Sequence, residues 1–535
     1  MTTSYVSRKA KIAAAKAFRD SFKESIPKRI GYIFLSKSLP YDDEEVVPSL
    51  LIDSVNQEKE MWDNMILGKR VISKDIELVI PRYDWIPGLR FKQYDDNAAL
   101  SNLTSISQDG NETVYPMYVM NSEGNVYKCL SNNNSSSSNV EPTGTYTEND
   151  GFIQTDIDGQ PEYLWKYMYN VRLSNKFFTK EWMPVPYIQA NTEFTDYNYS
   201  TVNLIDGALS KIEMITSNTG YFHPEINVES FVAGSNTLII SDDIDLPASN
   251  TIKVDMLISG NGILSNSTYI TQIDPNNPTT LYLSQNTVGA GGGTSSENRI
   301  SITTRVLIEG DGTDTITSVA LSNNTVEKID VTNAGIGFTR ANVTVYGSGT
   351  GATARAILPP KFGHGQNPAV ELNATNVMVL SRIGEIDATE NSTIPVDINF
   401  RQYGLVINPY KYNETSVMTE STAVDVISQT LNMDLLSFSS FNLNERVYQG
   451  DVNNPDFEGY IVQQDVNSVK LNNIYKAPII GSLIVGATSG SQNIIVSYQP
   501  PDLEPYAGDI LYARNILKVQ RSLAQSEEIK LVFQF

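Results

Sequence analysis

Two histidines, His223 and His364, and a single cysteine, Cys129, are all that 535 residues offer for chemistry near neutral pH. His364 is the more suggestive of the two. Lys361-Phe-Gly-His-Gly365 sets it between glycines, as in a catalytic loop, but no second His is near it in sequence, and a turn or interface residue is the expectation. Gly347-Ser-Gly-Thr-Gly351 has the glycine density of a dinucleotide loop. A phosphate cradle, however, needs a helix behind it whose first amides face the anion. Ala352-Thr-Ala-Arg-Ala-Ile357 follows instead and reads as a strand, so a β-turn is expected. Gly68-Lys69 is followed by Arg70, which removes a Walker-type site. Glu309-Gly-Asp-Gly-Thr-Asp314 and Asp242-Asp-Ile-Asp245 cluster oxygens that calcium favours, without the spacing of an EF-hand, and read as solvated turns. With 61 acidic residues some carboxylate pair will meet in any fold, so glycoside hydrolysis gains no specific support. One cysteine excludes intramolecular disulfides and Cys-based zinc sites. The expectation is a protein that is not an enzyme and that carries no cofactor and no metal.

Charge narrows the partners. Lys and Arg total 39 against 61 Asp and Glu, a net charge of −22. Neutralising phosphates or anionic headgroups needs a basic face, so neither nucleic acid nor membrane is an expected partner. The longest apolar run, Ala477 to Ala487, is too short to span a bilayer and contains Gly481 and Ser482. No secretory signal is apparent in the basic first twenty residues, so a reducing cytoplasm, or an assembly built there, is the expected setting. Sequons such as Asn102-Leu-Thr104 then reflect an Asn/Ser/Thr-rich composition.

The elements that would position these residues are mostly strands. A helix is expected from Ser4 to about Phe22, with Val6, Ala10, Ala13, Ala14, Phe18 and Phe22 at helical spacing, and a second from Val55 to Leu67 carrying Trp62. Arg29–Ser36 and Glu77–Ile80 read as strands, the latter stopped by Pro81 and followed by Arg82-Tyr-Asp-Trp85. Val114–Val119 and Asn125–Leu130 read as a hairpin across Asn121-Ser-Glu-Gly124, and 132–139 as a mobile low-complexity loop. Tyr163–Tyr169 alternates like a sheet strand. From 203 to about 375 aromatics thin out among short Val/Ile strands, and an imperfect repeat appears. Ser210-Lys-Ile-Glu-Met-Ile-Thr-Ser-Asn-Thr-Gly-Tyr221 parallels Glu327-Lys-Ile-Asp-Val-Thr-Asn-Ala-Gly-Ile-Gly-Phe338. Residues 431–499 show short strands joined by glycine turns, as in a small barrel or sandwich. Glu528–Phe535 should be a strand anchored in a sheet. The fold class expected is mainly β: a multidomain β-sandwich protein with a few short helices and two inserted all-β domains. The expected division is 1–86 with 395–430 and 500–535 as a sandwich core, 87–202 as a second β-rich domain, and insertions at 203–375 and 431–499.

Several segments, in order, resemble one family. They are Ile33-Phe-Leu-Ser-Lys-Ser-Leu-Pro40, Glu60-Met-Trp-Asp-Asn-Met65, Val79-Ile-Pro-Arg-Tyr-Asp-Trp85, Val126-Tyr-Lys-Cys-Leu130, Glu141-Pro-Thr-Gly144 and Tyr163-Leu-Trp-Lys-Tyr-Met168. Later come Phe400-Arg-Gln-Tyr-Gly-Leu-Val-Ile-Asn-Pro409, Gly508-Asp-Ile-Leu-Tyr512 and Glu527-Glu-Ile-Lys-Leu-Val-Phe533. Together they are similar to the gene-eight-type baseplate wedge subunit of T4-like contractile-tailed bacteriophages. The resemblance covers roughly the first 200 residues and two later stretches, and does not extend to the β-rich stretches at 203–375 and 431–499. It implies a structural virion protein of β-sandwich domains, a homodimer beside other baseplate wedge proteins, located in the tail baseplate and assembled in the host cytoplasm. Large apolar groups on Phe18, Phe22, Trp62, Trp85, Trp165 and Tyr167 are the candidate subunit contacts. A receptor- or glycan-binding tail protein is the alternative that the Asn/Ser/Thr-rich insertions raise, and a polysaccharide hydrolase is the enzymatic one.

Overall fold

Alternating apolar side chains and frequent Gly, Asn and Pro turns give a mainly β, multidomain protein: 36 strands against four α-helices among the described residues. The computed structural model describes residues 6–48, 51–145, 152–187, 205–241, 252–260, 262–263, 267–289, 299–384, 386–387, 392–393, 398–438, 440–522 and 525–535. The chain forms two compact units, one of residues 1–80 with 374–535 and one of 81–373.

In the first unit a five-stranded antiparallel sheet runs in the order Val426–Ser428, Met65–Arg70, Gly31–Ser36, Asn399–Ile407 and Asp509–Gln520. Its register places Ile33 opposite Leu405, and Leu405 opposite Tyr512. A second sheet sets Asn376–Ile383 between Ile76–Pro81 and Glu527–Gln534, so the closing strand is anchored as expected. The first helix is Arg8–Lys23, started by Ser7, whose hydroxyl accepts from the Ala10 amide. Its first expected residues, Ser4 and Tyr5, lie outside the described ones. The stripe it buries is Ile12, Ala15, Phe18 and Phe22, while Val6 and the alanines at 10, 13 and 14 face outward. Alanine fits either face, so the larger side chains set the rotation. Arg19 and Lys23 reach Glu77, which ties the basic face to the second sheet. The second helix ends at Asn64, three residues short of the expected Leu67. From Met65 the chain is already a buried strand paired with Gly31–Ser36. Residues 431–499 close into a six-stranded barrel around Met433, Val447, Phe457, Ile461, Leu471, Ile484 and Ile495.

In the second unit a four-stranded sheet has the order Tyr118–Met120, Asn125–Ser131, Gln160–Asn170 and Phe152–Ile157. The hairpin turns at Asn121–Gly124, but only Tyr118–Met120 pairs with the following strand. Pro116 breaks the ladder, and Glu112–Tyr115 joins a separate three-stranded sheet. The tract 132–139 is pinned, contrary to the expected mobile loop. Asn132 donates to the Phe91 carbonyl at 2.9 Å, and the buried Ser138 exchanges backbone bonds with Gly88 and Leu89. The described residues of the stretch 203–375 are mainly β, with two six-stranded sheets, and include one short helix, Pro368–Glu371. The two repeat copies are strands of one sheet, with Ile212 opposite Ile329. Each ends on a buried ring walled by glycines. A Cβ at Gly349 would come 2.4 Å from the Tyr221 ring, and one at Gly312 2.3 Å from Phe338. The glycines that precede the two rings, Gly220 and Gly337, have φ of +94° and +79°, so the repeated Gly-aromatic ending reflects a left-handed turn that sets each ring against glycine backbone elsewhere in the chain.

Candidate functional site

A buried polar group assembles around His364. Strand Asn125–Ser131 is covered on both faces. Tyr127 and Cys129 enter an aromatic cluster on one side, and Lys128 points to the other with no solvent exposure. Cross-strand from it is the buried Lys166. Two buried lysines side by side demand an acid, and the short helix Pro368–Glu371 supplies Glu371. Asn367 caps that helix, and the Glu371 carboxylate accepts from the amides of Gly365 at 2.8 Å and Asn367 at 3.3 Å. Gly363 and Gly365 both have a φ of +91°, which lets the loop fold back over this carboxylate. Lys128 Nζ lies 2.7 Å from Glu371 Oε2 and 2.9 Å from His364 Nδ1, while His364 Nε2 is 2.6 Å from Ser210 Oγ. Tyr94 presents its ring edge-on to His364 and under the Lys128 ammonium.

Serine, histidine and glutamate within one cluster invite comparison with an acyl-transfer triad, and the geometry answers it. In a triad the acid accepts from Nδ1, leaving Nε2 free to take the serine proton. Here an ammonium, which can only donate, occupies the Nδ1 lone pair. The proton of the neutral ring is therefore on Nε2 and is donated to Ser210 Oγ. Glu371 Oε2 is 3.9 Å from Nδ1, beyond hydrogen-bond reach. The arrangement holds three segments together, namely the Ser131 strand, the residue before strand Lys211–Thr216 and the loop at 363–371, and it presents no base to a nucleophile.

Its electrostatics follow from burial. Burial, and then the adjacent Lys128 ammonium, push the His364 imidazole down to about 4. Burial alone would raise the Glu371 carboxyl, but Lys128 and the hydrogen bonds at the carboxylate outweigh it and hold the group below the ordinary carboxylate range. The unfolded imidazole takes its proton near 6.5 and the folded one near 4, so the stability His364 confers is full above about 6.5 and is lost as pH falls from there towards 4. Glu371, with its folded value lowered, loses stability in the same direction at still lower pH. Urea denaturation should therefore show the second unit weaker by about 2 kcal/mol at pH 5 than at pH 7. His364→Gln should flatten that part of the profile. An unchanged profile in the variant would assign the pH dependence to other groups.

The remaining sequence candidates fall into place individually. Phe18 and Phe22 are buried, and the Phe18 ring touches Phe533 and Phe535 at 5.4 and 5.5 Å. Trp62 packs among Tyr32, Phe34, Met65 and Val406. Trp165 is fully buried, stacked on Tyr163 at 5.1 Å, with Tyr167 in the same cluster. Trp85 is half-buried at the margin of that cluster, its indole N–H donating to Ser138 Oγ at 3.0 Å. The expectation that these side chains form a subunit contact is thus corrected for five of the six: they fill the cores of their own units, because large rings gain most from full burial. Phe18, Phe22 and Trp62 belong to the first unit and Trp85, Trp165 and Tyr167 to the second. Burial pushes the Cys129 thiol up, away from reactivity. His223 bonds Thr304. Asp311, in the first calcium candidate, accepts from the Thr339 amide and hydroxyl and the Arg340 amide. The second candidate, 242–245, lies outside the described residues. Among the described residues no group of three or more His, Cys, Asp or Glu could hold a metal ion. The Gly347–Gly351 bend leads into strand Thr353–Ile357, as expected of a turn. Lys128, Lys166, Glu371 and Ser210 were not singled out from sequence, and the one available signal was a lysine inside the apolar run Val126–Leu130. Neither the family models nor the curated proteins searched contain a match to this chain.

Proposed function

We propose that the chain is a structural subunit of the baseplate wedge of a contractile phage tail, a non-enzymatic virion protein that holds neighbouring wedge proteins together. One observation carries the proposal. The segments that resemble the wedge family at Ile33–Pro40, Phe400–Pro409 and Gly508–Tyr512 are about 360 and about 100 residues apart, yet they are consecutive hydrogen-bonded strands of one sheet. Matches scattered by chance have no reason to be neighbours in space. The 431–499 barrel enters this frame between two of its strands, Val426–Ser428 and Asp509–Gln520, as an insertion would. The His364 cluster, in which the ring nitrogen facing the serine already carries the proton, agrees with work done through interfaces. Such a subunit would keep its neighbours in one arrangement and exchange contacts when the sheath contracts, with rigid units moving as bodies. Other wedge proteins are its expected partners, and the baseplate its location after assembly in the host cytoplasm.

An antibody raised against the purified chain tests this by electron microscopy of contractile-tailed particles from the source. Label at the baseplate is the expected result. Label confined to fibre tips would transfer the protein to receptor binding, and particles without label would remove it from the virion.

A further inference from the structure

The outer wall of the 431–499 barrel departs from the polar surface that outward strand positions normally carry. Leu483 and Ile494 are opposite each other on neighbouring strands and are 45% and 39% exposed. On the far side of Ile494, Leu436 donates its amide to the Ile494 carbonyl and is 64% exposed. Val496, next outward along the same strand, is 49% exposed. Ile480 adjoins it through the bond from the Gly481 amide to the Ile495 carbonyl, and is 57% exposed. Phe438 follows Ser437, whose carbonyl receives the Asn493 side chain, and is 67% exposed. An apolar row thus crosses two adjoining strands, Leu483–Gly486 and Gln492–Gln499, and continues into the flanking loops at Leu436, Phe438 and Ile480. The barrel is closed, so this is a face that can pack and offers no free edge to pair.

Two further observations bear on what covers it. Between Lys476 and Asp502 no residue is charged, in a chain whose charged fraction is 19%. Loss of charge at the centre with a polar margin, here Gln492, Gln499 and Asp434, is the composition of an interface. The six side chains offer about 600 Å², so two copies would bury about 1,200 Å², the lower bound for a stable specific interface. We propose that this face docks a second copy of the chain, patch to patch about a two-fold axis. The charge pattern favours a second copy over a basic partner. A net charge of −22 would draw a basic protein to acidic residues, and the patch offers only Asp434, at its margin. Apposed to itself, the uncharged centre of the patch brings no like charges together. The proposal does not rest on the wedge reading, since the barrel is in a stretch to which that resemblance does not extend.

Light scattering on the full-length chain at about ten micromolar, with Ile494→Asp and Phe438→Asp made separately, decides it. Each substitution places a charge at a solvent-exposed position, Phe438 outside the barrel ladder, so melting should match the wild type. The expected result is a wild-type assembly of at least twice 59.2 kDa whose mass is halved by either variant, with association weakened at least about tenfold. Wild-type mass in both variants, or a wild type already at 59.2 kDa, would overturn the proposal; in the latter case the face would belong to another protein. Antibody labelling of the baseplate would be unaffected by any of these results, so the two readings fail separately.

Discussion

Replacing Lys128 with Met should destabilise the second unit by about 3–5 kcal/mol, the cost of leaving a buried carboxylate without its counter-charge. Met keeps the length and apolar stem of the lysine, so the loss is that of the ammonium. Glu371 would retain the Gly365 and Asn367 amides but lose the ion pair at 2.7 Å, and His364 Nδ1 would lose its donor. Its carboxyl would then be forced up in pKa. Calorimetry of the full chain should show the transition of this unit moved down by several degrees, with the barrel and its sheet unmoved. Adding Glu371→Gln removes the stranded charge while keeping an acceptor for both amides, and should restore a large part of the loss. A double variant no more stable than Lys128→Met would show that the pair is not coupled, and the cost would then have to come from packing.

Trp165→Ala should cost about 3–5 kcal/mol, the range for emptying a fully buried aromatic site. The indole stacks on Tyr163 at 5.1 Å and meets Phe91 edge-on at 5.5 Å, and none of it reaches solvent. Trp165→Phe, which keeps a ring in the site, should cost less than half as much. The two variants also separate a core role from a contact role. If Trp165 acts through the core, the capacity of either variant to assemble will follow its folded fraction across temperature. Full melting stability combined with lost assembly would return Trp165 to the surface role that its apolar sequence context first suggested.

Where the sequence was informative, the reason is periodicity. Gln160–Asn170 and Glu527–Gln534 alternate, and the glycine-punctuated run from Leu431 to Gln499 closes as a barrel because short strands with tight turns leave few other ways to bury one face. The switch at Met65 was not legible. Helix and buried strand have no contrast in composition at Trp62-Asp-Asn-Met-Ile66, and what decides is a partner strand at Gly31–Ser36. The low-complexity tract at 132–139 misled because Ser and Asn suit both solvent and a hydrogen-bonded turn, and only the partners Phe91 and Trp85 distinguish the two. The His364 cluster was half visible. The histidine stood out, but Lys128 and Glu371 are 243 residues apart, and no local pattern joins residues at that distance. Trp62 and Trp165, read from sequence as candidate subunit contacts, are buried in the cores of their own units, and Trp85 is half-buried. Sequence alone does not tell a ring that fills its own core from one that fills a neighbour's.

The pairing of Ile33 with Leu405 sets a timetable for synthesis. A ribosome must add about 370 residues after the first of these strands before the second exists, roughly 20–70 s at ordinary elongation rates of about 5–20 residues per second. Throughout that interval Gly31–Ser36, buried at every position in the finished sheet, has Met65–Arg70 as a ladder partner on one edge and lacks Asn399–Ile407 on the other. Residues 81–373, being contiguous, can complete their own sheets meanwhile. The nascent chain thus carries a folded middle ahead of an unfinished beginning. Its most aggregation-prone moment falls late, just before the strand at Asn399–Ile407 emerges, and at that stage a chaperone that shields extended apolar strands would have its greatest effect on yield.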